Sequence, residues 1–78
     1  MLKKQLYVEK DLAVLAKQFR VASGKNRADA ARELGVARPS LIQAEESPDK
    51  TLGKLRIRII EKYSPFKVAG PAYWLEKK

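Results

Sequence analysis

Seventeen of the 78 side chains are Lys or Arg, nine are Asp or Glu, and neither His nor Cys occurs. That inventory decides which chemistry is within reach. Without imidazole the usual general base is missing, and without thiolate or imidazole so are the commonest zinc ligands. No nucleophile–base set, phosphate-cradling loop or cluster of metal ligands can be picked out. The chain is therefore expected not to be an enzyme and to use no cofactor. What remains is binding. A net charge of +8 attracts polyanions and speeds encounter with them. Composition alone leaves nucleic acid, acidic membrane surfaces and acidic proteins as partner classes. Single-stranded RNA would call for exposed stacking aromatics, and most aromatics here are better placed as core.

The narrowing comes from residues 27 to 45, which read as two short helices meeting at a turn on Gly35. Two helices crossing through a short Gly-containing turn form a shape suited to placing the second in the DNA major groove. The remaining elements must position that unit. From Glu9 to about Ala22, Leu12, Leu15, Ala16 and Phe19 follow the spacing of one helix face. Asp11, or Glu9 before it, puts negative charge in its first turn, where the helix dipole favours it. Ser23-Gly24 stops it. Asn26 is a good N-cap for a helix over Arg27 to Leu34, with Ala30, Ala31 and Leu34 inward. Gly35 supplies the turn and Val36 plugs it into the core.

A third helix is expected over Arg38 to Glu46, with Pro39 tolerated only in its first turn and Leu41 and Ala44 inward. Ser47 to Lys50 reads as a loop, and Leu52, Leu55, Ile59, Ile60 and Tyr63 predict a fourth helix from about Thr51 to Tyr63. Leu55 to Ile59 also alternates as a strand would. Ser64-Pro65 closes that element. Phe66 to Leu75 predicts two short strands, or one strand after a turn, around Ala69-Gly70-Pro71. Residues 2 to 8 read as a short strand or a frayed lead-in.

Seventy-eight residues make one domain, 1–78, with a helical part over 9–63 and a strand extension over 64–78. A domain this small hides only roughly 60% of its unfolded surface, which favours association of two copies. The N-terminal residues lack the unbroken apolar run of a signal peptide, and no stretch reaches the ~20 apolar residues of a membrane span. A cytoplasmic protein without membrane contact is expected, nucleoid-associated when bound to DNA.

The pattern resembles the Cro/repressor-type helix–turn–helix family of bacterial and phage regulators over about residues 12 to 60. The positions that carry the likeness read Arg20, Gly24, Asn26, Arg27, Ala31, Gly35, Val36 and Glu45, without a gap. The resemblance implies a mainly α, lambda-repressor-like domain of four to five helices with a short C-terminal strand or hairpin. It implies that Arg20 and Glu45 form an ion pair joining the first helix to the third. It implies that Arg38, Pro39, Ser40 and Gln43 read bases. Arg suits guanine and Gln suits adenine through paired hydrogen bonds, and Ser adapts to either. Asn26 and Arg27 open the second helix, whose free N–H groups and dipole favour an anion. With Lys25 before them and Lys50 and Lys54 after the third helix, they are expected to hold phosphates without reading sequence.

Three positions depart from the family pattern. Ala37 stands where a hydroxyl cap is preferred, Arg27 replaces the usual Gln, and Ile42 falls on a normally polar site. Ile42 then has three expected uses: a thymine methyl contact, packing on the C-terminal strands, or a subunit contact. The implied partner is double-stranded DNA, bound by a homodimer formed through the C-terminal strand region near Val68, Tyr73 and Leu75. A small repressor, a Cro-like switch and an antitoxin with a toxin partner all fit. The competing reading is a protein-interaction module that keeps the fold without reading DNA.

Overall fold

Helix α1 (Glu9–Ala22) begins where Val8, in extended conformation, donates its N–H to Asp11 Oδ2 at 3.1 Å. The computed structural model describes residues 6–70 and 73–78. The apolar stripe expected on α1 faces inward: Leu12 and Ala16 are fully buried, with Leu15 and Phe19 half-buried on the same core. Gly24 follows at φ 73°, a left-handed conformation that costs glycine nothing sterically.

Helix α2 (Arg27–Leu34) is capped by Asn26, whose Oδ1 accepts the Asp29 N–H at 2.8 Å. Gly35 then turns the chain at φ 70°. Its N–H and that of Val36 return to the carbonyls of Arg32 and Ala31 at 3.2 and 3.0 Å, satisfying groups that a helix end leaves unpaired. Residues 35–37 lead into helix α3 (Arg38–Glu46). Ala37 makes no side-chain cap there. Pro39 sits in the first turn, where a missing N–H is harmless.

Helix α4 (Gly53–Tyr63) starts two residues later than the apolar spacing suggests. Two successive turns take up the preceding residues: Lys50 N–H bonds to Ser47 O at 2.9 Å and Leu52 N–H to Lys50 O at 3.0 Å. The strand-like alternation of Leu55 to Ile59 is helix. Strands β1 (Phe66–Ala69) and β2 (Trp74–Lys77) form an antiparallel hairpin with Phe66 opposite Lys77 and Ala69 opposite Trp74. Of the two C-terminal alternatives, two paired strands form.

Ahead of α1, Tyr7 bridges to Tyr73, its N–H bonding to Tyr73 O at 2.8 Å. The rest of the expected lead-in, residues 2–5, lies outside the described residues. The described residues hold four helices, the lower end of the four to five that the resemblance implied.

The core is Leu12, Ala16, Ala30, Ala31, Leu34, Leu41, Ala44, Ile59 and Ile60. Four alanines among nine residues let the helix backbones approach closely. Helix α1 packs on both α3 and α4, α2 on α3, and β1 on α4. The Phe19 and Phe66 rings, 6.1 Å apart, tie the hairpin to α1. Val36, Tyr73 and Leu75 are half-buried against the core. No described helix is long and apolar enough to cross a membrane.

Candidate functional site

The inward side of α3 is held by three arginines from three other helices. Arg20 of α1 donates from Nε and Nη2 to the two carboxylate oxygens of Glu45, at 2.6 and 2.9 Å. Its Nη1 donates to the Lys25 carbonyl at 2.7 Å. The side chains are 7% and 0% exposed, so the pair that the family likeness implied is buried and two-pronged, a geometry that planar guanidinium favours. Arg56 of α4 is wholly buried. It donates to Ala44 O at 2.8 Å, Ser47 O at 2.7 Å and Glu9 Oε1 at 3.0 Å. One side chain thereby caps the C-terminal end of α3 and draws in the start of α1. A cation at that end also meets the negative pole of the helix.

Arg27 is the third. Its Nε donates to Glu45 Oε1 at 3.3 Å and its Nη2 to Glu46 Oε2. Lys17 of α1 reaches that same Glu46 oxygen at 2.8 Å. The Lys17 ammonium, and after it the Arg27 guanidinium, hold the Glu46 carboxyl below the usual carboxylate range. The residue expected to meet phosphate is thus bonded, in the free chain, to two carboxylates.

Lys25 is engaged as well. Its ammonium lies 2.9 Å from Glu33, which also accepts the Tyr63 hydroxyl at 2.6 Å. Those two donors, the hydroxyl first, lower the Glu33 pKa. The Glu33 hydrogen bond in turn raises that of Lys25.

The outward side of α3 is the reverse. Arg38, Pro39 and Gln43 are exposed, with Ser40 and Ile42 half-buried beside them. Among the described residues no hydrogen bond or ion pair restrains the side chains of Arg38, Ser40 or Gln43. Lys50 and Lys54 are exposed and likewise without an ion pair among the described residues. The structure therefore gathers Arg20, Arg27 and Glu45 behind α3 and leaves Arg38, Gln43, Lys50 and Lys54 facing solvent. Asn26 stands at the start of α2 with its carbonyl oxygen committed to capping. A cleft of about 650 Å³ beside the first turn of α4 is lined by Leu52, Lys54, Leu55, Ile57 and Tyr73 among others. The carboxylate lining it, Glu9, is bound to Arg56.

Sequence reasoning missed Arg56, Lys17, Glu46 and the Tyr63–Glu33 contact. A signal for Arg56 was present. It occupies the middle of the row Leu52, Arg56, Ile59, Tyr63, where a charge on an apolar stripe marks a buried cation with partners. Glu46 offered none, since one of two adjacent glutamates at a helix end reads as solvated charge. Comparison of the chain with models of known families, with curated proteins and with solved structures gives no match.

Proposed function

We propose that this chain is a sequence-specific double-stranded DNA-binding regulator in which α2 and α3 act as a helix–turn–helix and α3 enters the major groove. One observation carries the reading. A helix of nine residues is bound on its inward side by buried arginines, while Arg38, Ser40 and Gln43 on its other side have no partner among the described residues. Polar side chains left without a protein partner on a rigidly held helix stay available to donate to and accept from base edges. Lys50, Lys54 and the start of α2 flank that helix in sequence and supply positive charge for the backbone. The net charge of +8 supports fast, salt-sensitive encounter with a polyanion.

One unit of this size reads a single half-site, so a homodimer spanning half-sites about 34 Å apart is proposed. The hairpin offers a place for it. On β1 the outward N–H groups of Phe66 and Val68 are taken by Ser64 Oγ at 3.2 Å and Glu61 Oε2 at 3.0 Å. That edge is closed. Because Val68 bonds away from β2, its partner Leu75 must also direct its backbone groups away from the hairpin. Beyond the Tyr7–Tyr73 bridge, Leu75 and Lys77 give β2 an edge that a second strand can join.

Selection of bound duplexes from a random pool, followed by sizing of the complex, tests the reading. A palindromic consensus holding two protein copies is the expected result. Absence of enrichment would leave the fold as a protein-interaction module.

A further inference from the structure

We infer that Glu46 is a built-in competitor of DNA phosphate, holding Arg27 off the backbone until a phosphate displaces it. The inference rests on the DNA-binding reading and concerns the same site. Arg27 is the first residue of α2, where free N–H groups and the helix dipole favour an anion. In the free chain an internal anion already occupies one of its two outer nitrogens: Nη2 bonds to Glu46 Oε2, on the last residue of α3.

The two bonds of Arg27 differ in kind. Nε is anchored to Glu45, which is 0% exposed, whereas Nη2 meets Glu46, which is 42% exposed. An exposed ion pair of this type is weak and exchanges readily with other charges. The inner bond keeps the guanidinium in place while the outer donor changes partner. Arg27 is therefore preplaced for a phosphate and neutralised until one arrives.

Glu46 also takes Lys17 at 2.8 Å, so five charges meet behind α3: Lys17, Arg20 and Arg27 against Glu45 and Glu46. Removing the Glu46 charge raises the local sum from +1 to +2 and releases Nη2 of Arg27. Wild-type protein then binds arbitrary duplex less tightly than its charge suggests, which leaves more of its affinity to base contacts by α3. That division favours discrimination between sites, because phosphate contacts alone carry no sequence information.

The test is a salt series of anisotropy titrations on a short labelled duplex of scrambled sequence. It compares wild type with Glu46→Gln, Arg27→Ala and the double variant. Glu76→Gln, which removes one like charge from the hairpin, is the control. Glu46→Gln is expected to bind about threefold to tenfold more tightly at low salt and to steepen log K against log salt by about one unit. Arg27→Ala alone is expected to leave the slope nearly unchanged, and the gain from Glu46→Gln is expected to vanish in its presence. Glu46→Ala, which also deletes the acceptor, should act in the same direction.

If wild type binds duplex but Glu46→Gln matches it, or the gain survives Arg27→Ala, or Glu76→Gln gives the same steepening, the inference is overturned and DNA binding stands. If wild type fails to bind duplex at all, the DNA reading and this inference fall together.

Discussion

Arg20 and Glu45, 25 residues apart, share two parallel hydrogen bonds in a site closed to solvent. They join α1 to α3 and fix the rotation of α3 about its own axis, because a two-pronged bond tolerates little twist. Arg20→Ala is expected to cost about 3–5 kcal/mol, since it strands a buried carboxylate. Glu45→Ala should cost as much or more, because it strands Arg20 and also releases Arg27 Nε. Urea unfolding measures both. Losses below about 1 kcal/mol for either would place the pair in the class of solvated surface bridges.

Arg56 carries a comparable load with different chemistry. Two of its three acceptors are backbone carbonyls at the end of α3, the third is Glu9, and the side chain is fully buried. Arg56→Lys should rescue little. An ammonium is a compact point charge on a flexible stem and cannot present the planar fork that reaches Ala44, Ser47 and Glu9 together. We expect Arg56→Lys and Arg56→Met both to lower stability by more than about 2 kcal/mol. A melting temperature for Arg56→Lys equal to that of wild type would show that charge alone suffices.

These two arginines mark the boundary of what was legible in the chain. The bounds of α1, α2 and α3 follow from local rules: Asn26 caps, Gly24 and Gly35 terminate, and Pro39 is admitted only in a first turn. Each signal lies within a few residues of the boundary it sets. The start of α4 at Gly53 was not legible, because its apolar period runs on through Leu52 while the competing turn bonds belong to Ser47 and Lys50. The destinations of long cations were less legible still. Lys17, Arg27 and Arg56 have several flexible bonds each, and their partners lie 29, 18 or 19, and 47 residues away. Periodicity fixes which face carries a residue. It does not show which carboxylate a four-atom stem will reach.

The Tyr63–Glu33 contact gives a pH dependence whose sign can be worked out. Burial, then the hydrogen bond to Glu33, pushes the Tyr63 phenol above its ordinary value of 10.0. The folded state therefore binds that proton more tightly than the unfolded chain does. Its contribution is complete below pH 10 and is lost as pH rises toward the folded value. Glu33 has the opposite sense. Its pKa is lowered from 4.5 by the Tyr63 hydroxyl and then by Lys25, so its contribution is present above that value and declines as pH falls below it. Tyr63→Phe should flatten the fall in urea midpoint above pH 10; by letting the Glu33 pKa return toward 4.5 it should also lower stability at neutral pH and make the decline toward acid shallower. If its alkaline limb parallels wild type, ionisation of Tyr63 is not linked to unfolding.

Base reading by α3 makes the sharpest claim on named side chains. Arg38 is in the first turn and Gln43 one and a half turns later, so the two are expected to meet different base pairs of one half-site. Arg38→Ala should lower affinity for the selected site by about 1–3 kcal/mol and relax preference at one position, leaving scrambled duplex nearly unaffected. Gln43→Ala should relax a different position. Lys54→Ala should instead weaken all duplexes alike and reduce the salt slope by about one. Competition titrations against single-base variants of the site separate these outcomes. If Arg38→Ala weakens every sequence equally, Arg38 belongs with the phosphate contacts, and specificity must come from Gln43, Ser40 and the shape of the duplex.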